Sequence, residues 1–120
     1  VDLMFRIAKE FTFSASHKLL GLPESHPCSR LHGHNYSITF TLEAKELNEI
    51  GFVKDYRELS EIKDFIDESI DHYHLNELFD FNPTAENIAK WFYNGYKEKC
   101  PQLKSITVKE TDKTSATYEP

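Results

Sequence analysis

Glycine and proline are scarce in this chain, four and five of 120 residues, which excludes collagen-like repeats and low-complexity segments that stay disordered. No apolar run approaches the length a helix needs to cross a bilayer. Cationic residues are outnumbered, 14 Lys and Arg against 20 Asp and Glu for a net charge of -6, so neither nucleic acid nor an anionic membrane is an expected partner. Cysteine is limited to Cys28 and Cys100, too few for a disulfide framework, and the pair reads as two free thiols. The stretch from Val1 to Ser16 alternates and carries Arg6, Lys9 and Glu10. It therefore reads as neither signal peptide nor membrane span, and a cytoplasmic location is the expectation. What remains, 39% hydrophobic and 28% charged, is the composition of one globular domain over residues 1–120. A domain of this size has a high surface-to-volume ratio, which favours self-association, and its charge suits a small-molecule site.

Periodicity supplies the elements. From Met4 to His17 the odd positions Phe5, Ile7, Phe11, Phe13, Ala15 and His17 make one face of a strand, interrupted by Lys9. Leu20 to Arg30, with Gly21, Pro23 and Pro27, has loop composition and carries Cys28. A second alternation puts His32, His34, Tyr36, Ile38, Phe40, Leu42 and Ala44 on the core side. From Asp55 the spacing of Leu59, Ile62, Ile66 and Ile70 is helical, ending near Ser69 to Asp71. The polar segment Asp71 to Asn82 reads as a loop. Thr84 then suits an N-cap, and a helix with Ile88, Phe92 and Tyr96 in its stripe runs until Pro101. Ser105–Glu110 and Thr114–Tyr118 read as two strands joined by a turn at Asp112-Lys113. The order strand, strand, helix, helix, strand, strand predicts an α+β fold, a four-stranded antiparallel sheet with two helices on one face.

Three histidines stand out. His-Gly-His at 32–34 places two imidazoles on one side of a strand, roughly 6.5–7 Å apart at Cα. His17 ends the buried face of the neighbouring strand, so three rings can meet at one cation and leave a coordination place open, the catalytic zinc pattern. Iron accepts the same donors, and single histidines on apolar faces also serve as hydrogen-bonded core residues. Cys28, four residues before His32, is a candidate general base; its position equally suits a fourth ligand or an inert thiol. Asp71-His72, at a helix end, is either a proton relay or a capping surface pair. Glu110 extends the face of Ile106 and Val108, where a carboxylate needs N–H donors or the solvent boundary. Cys100 reads as structural, and His26 and His74 as surface residues.

Taken together, six segments resemble the 6-pyruvoyltetrahydropterin synthase family, and most closely its bacterial 6-carboxytetrahydropterin synthase branch. They are Phe13-Ser14-Ala15-Ser16-His17, Cys28-Ser29-Arg30-Leu31-His32-Gly33-His34-Asn35-Tyr36, Gly51-Phe52-Val53-Lys54-Asp55-Tyr56, Asp71-His72-Tyr73-His74-Leu75-Asn76, Pro83-Thr84-Ala85-Glu86-Asn87 and Val108-Lys109-Glu110-Thr111. The resemblance implies the tunnelling fold (T-fold) and a zinc ion on His17, His32 and His34. It also implies Cys28 as the proton-abstracting thiol and Asp71 with His72 as a relay. Glu110 would anchor the pterin, with Glu86 and Thr84 lining the same pocket. It further implies a homohexamer of two trimers, each closing a barrel, with sites between subunits.

The short Cys28-x-x-x-His32 spacing is similar to the carboxytetrahydropterin branch, which implies conversion of 7,8-dihydroneopterin triphosphate to 6-carboxy-5,6,7,8-tetrahydropterin for queuosine. Two alternatives stand beside it: formation of 6-pyruvoyltetrahydropterin, and a non-catalytic pterin-binding module braced by zinc. A related subgroup replaces or supplements the cysteine with glutamate and releases the hydroxymethyl pterin; Glu24 lies in the same loop as Cys28.

Overall fold

The computed structural model describes residues 3–120. Strand β1 (Phe5–His17) pairs antiparallel with β2 (His32–Ala44) along its whole length, from Phe5 opposite Ala44 to His17 opposite His32. The alternation that predicts them is visible in their burial: Phe11, Phe13, Ala15 and His17 are buried while Thr12 is exposed, and Tyr36, Ile38, Phe40 and Leu42 are buried on β2. Phe5, expected on the buried face, is instead 49% exposed, because the core begins at Phe11 and the start of β1 projects past it. Strand β4 (Leu103–Thr111) pairs with the other side of β2, and β5 (Thr114–Tyr118) pairs with β4.

These four antiparallel strands are joined by a fifth. Strand β3 (Tyr73–His74) lies parallel to β1, with Ala15 opposite Tyr73 and Ser16 opposite His74, so the sheet is mixed, in the order β3-β1-β2-β4-β5. The four-stranded, purely antiparallel reading is corrected here, and so is the loop over Asp71 to Asn82. That segment is polar in composition, yet Leu75 and Phe79 are buried at an i, i+4 spacing around the one-turn helix α2 (Leu75–Leu78). Burying them brings Tyr73 and His74 against the end of β1.

Helices α1 (Ser60–Ser69) and α3 (Ala85–Tyr96) cover one face of the sheet. Ile62 and Ile66 of α1 and Ile88, Ala89 and Phe92 of α3 share a core with Phe11, Phe40, Ile106 and Val108. The Phe40 ring sits at its centre, edge-on to Phe11, Phe92 and Tyr96. The helix expected from Asp55 opens with a 3-10 turn, Tyr56–Leu59, because the Asp55 carboxylate accepts from Arg57 N at 2.9 Å and stops α-helical geometry from starting earlier. Thr84 caps α3 as predicted, its hydroxyl accepting from Asn87 N at 3.1 Å.

The exit from α1 is strained. Tyr73 N donates to Ile70 O at 3.1 Å, closing a four-residue turn whose third residue, His72, has φ 68°. That position favours glycine, and a side chain there costs on the order of 1 kcal/mol. His72→Gly is therefore expected to raise the unfolding free energy by about 1 kcal/mol, measured by urea denaturation; a destabilised variant would show that the histidine side chain itself holds the turn.

Candidate metal centre

Cross-strand register creates the centre. His17 and His32 are direct partners at the open end of the β1–β2 ribbon, and the next inward-facing pair is Ala15 and His34. A small residue opposite His34 leaves space on that face for three rings. Their centroids are 4.5 Å (His17–His32), 4.9 Å (His32–His34) and 5.0 Å (His17–His34) apart, with ring planes steeply inclined to one another. One ligand atom from each histidine lies within 4.8 Å of the others.

Hydrogen bonding fixes which nitrogens face inward. His17 Nδ1 lies 2.9 Å from Pro83 O and His32 Nδ1 lies 2.7 Å from Arg30 O. A carbonyl only accepts, so both Nδ1 atoms carry the ring proton. The Tyr36 hydroxyl oxygen, 3.1 Å from His17 Nδ1, shares that proton as a second acceptor. His17 Nε2 and His32 Nε2 are then bare lone pairs, 2.9 Å apart and facing each other. His34 Nε2 is buried with no hydrogen-bond partner. Two opposed lone pairs and an orphaned ring nitrogen at one point suit a divalent cation that accepts imidazole, which would satisfy all three. The residues fit a metal ion.

Charge reinforces the fit. Burial lowers the pKa of His17 and His34 below the ordinary imidazole value, outweighing the opposite effects of the Pro83 carbonyl on His17 and of Glu110 on both, so both rings are kept neutral for binding. Glu110 Oε2 lies 3.7 Å from His34 Nε2. Tyr36, beneath them, has its pKa raised by burial first and by Glu110 second, so it stays a phenol.

The remaining expected site residues separate into three places. Glu110 and Glu86 line one cleft of about 420 Å³ between the start of α3 and the β4–β5 hairpin. Thr84 is next to that cleft in sequence, but its hydroxyl is occupied as the α3 cap. Asp71 and His72 do touch, Oδ2 to Nδ1 at 3.0 Å, and they grip the edge of β1: Ser14 N donates to Asp71 Oδ1 at 2.8 Å and His72 N donates to Ser14 O at 2.6 Å. The bond from Ser14 N holds the Asp71 carboxyl below the usual carboxylate range. His72 borders a depression of about 390 Å³ whose lining also includes Ser14, Ser16, Asn35 and one of the three converging histidines, His34. Cys28 is half-buried in a 3-10 turn, Pro27–Ser29, whose main chain is tied to the end of β1 by Leu19 N donating to Cys28 O at 2.9 Å.

The family model for 6-pyruvoyl tetrahydropterin synthase matches residues 6–120. The chain belongs to the 6-pyruvoyl tetrahydropterin synthase family. It is 34% identical to a 6-carboxy-5,6,7,8-tetrahydropterin synthase of Synechocystis sp., over 96% of this chain and 93% of that protein. It is 32% identical to a dihydroneopterin monophosphate aldolase of Pyrococcus furiosus, over 88% and 89%. The 6-pyruvoyl tetrahydropterin synthase of Caenorhabditis elegans superposes with a TM-score of 0.85 at 25% identity, covering 98% of this chain and 96% of that one. The T-fold expectation is met. No helix among the described residues is long and apolar enough to cross a membrane.

One expectation is corrected by geometry. His74 is half-buried, its Nδ1 2.9 Å from Ser16 Oγ, because β3 brings it against β1. His26 is exposed as expected, but its ring accepts from Cys28 N at 3.1 Å. Cys100 is buried, which pushes its thiol up and suits a structural role. The carbonyls of Pro83 and Arg30 had no signal in the sequence, since main-chain acceptors carry no residue identity.

The depressed imidazoles give a pH dependence. A group whose folded pKa is lowered contributes stability present above its unfolded value, about 6.5, and lost as pH falls through the folded value, since the unfolded chain binds the extra protons. The urea midpoint of metal-free protein is thus expected to fall from about pH 7 to about pH 5, with His34→Gln flattening the decline; equal slopes in both proteins would contradict the burial argument.

Proposed function

We propose that the chain is a zinc-dependent 6-carboxy-5,6,7,8-tetrahydropterin synthase, a carbon-carbon lyase of queuosine (7-deazapurine) biosynthesis. In this reading 7,8-dihydroneopterin triphosphate and water yield 6-carboxy-5,6,7,8-tetrahydropterin, acetaldehyde and triphosphate. The observation that carries it is the convergence of three imidazoles, with His17 and His32 presenting bare Nε2 lone pairs and His34 Nε2 unpartnered, beside a carboxylate at 3.7 Å and four residues from a half-buried thiol.

His17, His32 and His34 would hold the ion, which when bound polarises hydroxyl oxygens and so acidifies the neighbouring carbon protons. Cys28 Sγ takes such a proton. Glu110 accepts the N–H groups of the pterin edge in the cleft it shares with Glu86, and Thr84 acts by fixing the start of α3. Asp71 orients His72, which exchanges protons with the side-chain oxygens.

Asp71 and His72 bond to each other and to the Ser14 main chain, and no hydrogen bond among the described residues joins them to the three imidazoles. The reading therefore includes a homohexamer, a dimer of trimers, in which the relay of one copy serves the centre of a neighbour. Open sheet edges support this: among the described residues β1 has no strand on the side away from β2 from Phe5 to Ser14, and β5 is the other edge. Closure of a barrel removes such edges. The acidic chain without a membrane-spanning helix fits work on a soluble pterin in the cytoplasm.

A second reading, aldol cleavage to a hydroxymethyl pterin, is favoured by the Pyrococcus relative and by Glu24, exposed in the loop that carries Cys28. Products separate the two. Zinc-loaded protein given dihydroneopterin triphosphate is expected to release acetaldehyde and 6-carboxytetrahydropterin, identified by mass spectrometry. Cys28→Ala should keep its zinc and lose at least about 100-fold in turnover. Hydroxymethyl pterin as the main product would establish the aldolase reading, 6-pyruvoyltetrahydropterin would mark the pyruvoyl reaction, and binding without turnover would leave a pterin-binding module.

A further inference from the structure

The turn that carries Cys28 is held at nearly every main-chain group. His26 N donates to Pro23 O at 2.9 Å, Ser29 N donates to His26 O at 3.0 Å, and Ser29 Oγ donates to His26 O at 2.7 Å. Downstream, Arg30 N donates to Pro27 O at 3.1 Å, and Arg30 O accepts from His32 Nδ1. Leu19 N, two residues beyond His17, donates to Cys28 O at 2.9 Å. The turn is thereby tied to one converging histidine, His32, and to the segment that follows another, His17.

One main-chain N–H in it depends on a side chain. Pro27, the first residue of the turn, has no N–H, so the first N–H that needs an acceptor belongs to Cys28 itself. His26 has extended backbone (φ -74°, ψ 129°), as an N-cap requires, and its Nδ1 accepts from Cys28 N at 3.1 Å. An accepting Nδ1 puts the ring proton on Nε2, the opposite tautomer from His17 and His32. Asn, Asp and Ser are the residues that ordinarily cap in this way, and imidazole is an unusual substitute.

We propose that His26 is the positioning residue for Cys28: by accepting the Cys28 N–H it fixes the turn that carries the thiol between the β1 and β2 histidines. It touches neither substrate nor ion in this role. The proposal rests on Cys28 acting as the base, but the bond it concerns can be read without any turnover.

Two variants of the zinc-loaded protein test it. His26→Ala removes the acceptor, whereas His26→Asn keeps one at the cap while discarding the imidazole. Exchange of the Cys28 amide proton, followed by NMR, is expected to quicken about fivefold or more in His26→Ala and to return to the wild-type rate in His26→Asn. Turnover of dihydroneopterin triphosphate should follow the same order, with kcat falling about fivefold in His26→Ala, KM unchanged, and kcat restored in His26→Asn. Unchanged amide exchange in His26→Ala would overturn the proposal. So would a His26→Asn protein with protected amide and low kcat, which would make the imidazole a participant in proton transfer. If the wild-type protein does not turn this substrate over, the lyase reading fails alone, and amide exchange still decides the role of His26.

Discussion

With their Nδ1 protons committed to the carbonyls of Pro83 and Arg30, His17 and His32 confront each other through two lone pairs at 2.9 Å, and His34 adds a buried nitrogen with no partner. The nearest polar side chains leave these nitrogens without a hydrogen bond, since Glu110 lies 3.7 Å from His34 Nε2 and Tyr36 meets His17 at Nδ1. The centre is complementary to a cation. The main-chain carbonyls outside the ring of histidines are what make it so, in the manner of outer partners that set the tautomer of metal-binding imidazoles. Their own positions follow from the fold, Pro83 from the approach to α3 and Arg30 from the turn that carries the thiol.

The fold distributes chemistry between one face and one edge of the sheet. Inward-facing positions of β1, β2 and β4 supply the imidazoles and Glu110, continuous with the apolar core that α1 and α3 cover. The edge of β1 supplies Asp71 and His72, clamped to the Ser14 main chain through a turn that keeps His72 at positive φ. Strain of this sort persists only where neighbouring contacts enforce it, and here two hydrogen bonds to one residue do so. The absence, among the described residues, of any hydrogen bond from Asp71 or His72 to the imidazoles is the physical reason for expecting a neighbour to complete the site.

Much of this was legible in the sequence because the strands obey a period of two. His17, His32 and His34 fall on the inward face by counting alone, and Glu110 follows from Ile106 and Val108 in the same way. Thr84 was recognisable as a cap from its place before the stripe of α3. The segment from Asp71 to Asn82 was opaque for a different reason: Leu75 and Phe79 are only two apolar residues in a polar stretch, too few to reveal a one-turn helix. Tyr73 and His74 join the sheet only through tertiary contact, so no local pattern announces β3. The tautomer-setting carbonyls and the cap formed by His26 depend on loop geometry and were likewise invisible until the chain was folded.

The environment of the ion itself gives the most direct measurement. X-ray absorption at the zinc edge of purified, zinc-loaded protein without substrate is expected to show imidazole scattering from three nitrogen ligands at about 2.0 Å and a light atom in the remaining place. A sulfur neighbour at about 2.3 Å would make Cys28 a ligand and remove it as a free base. Absence of the imidazole signature would contradict the central claim that three Nε2 atoms share one cation.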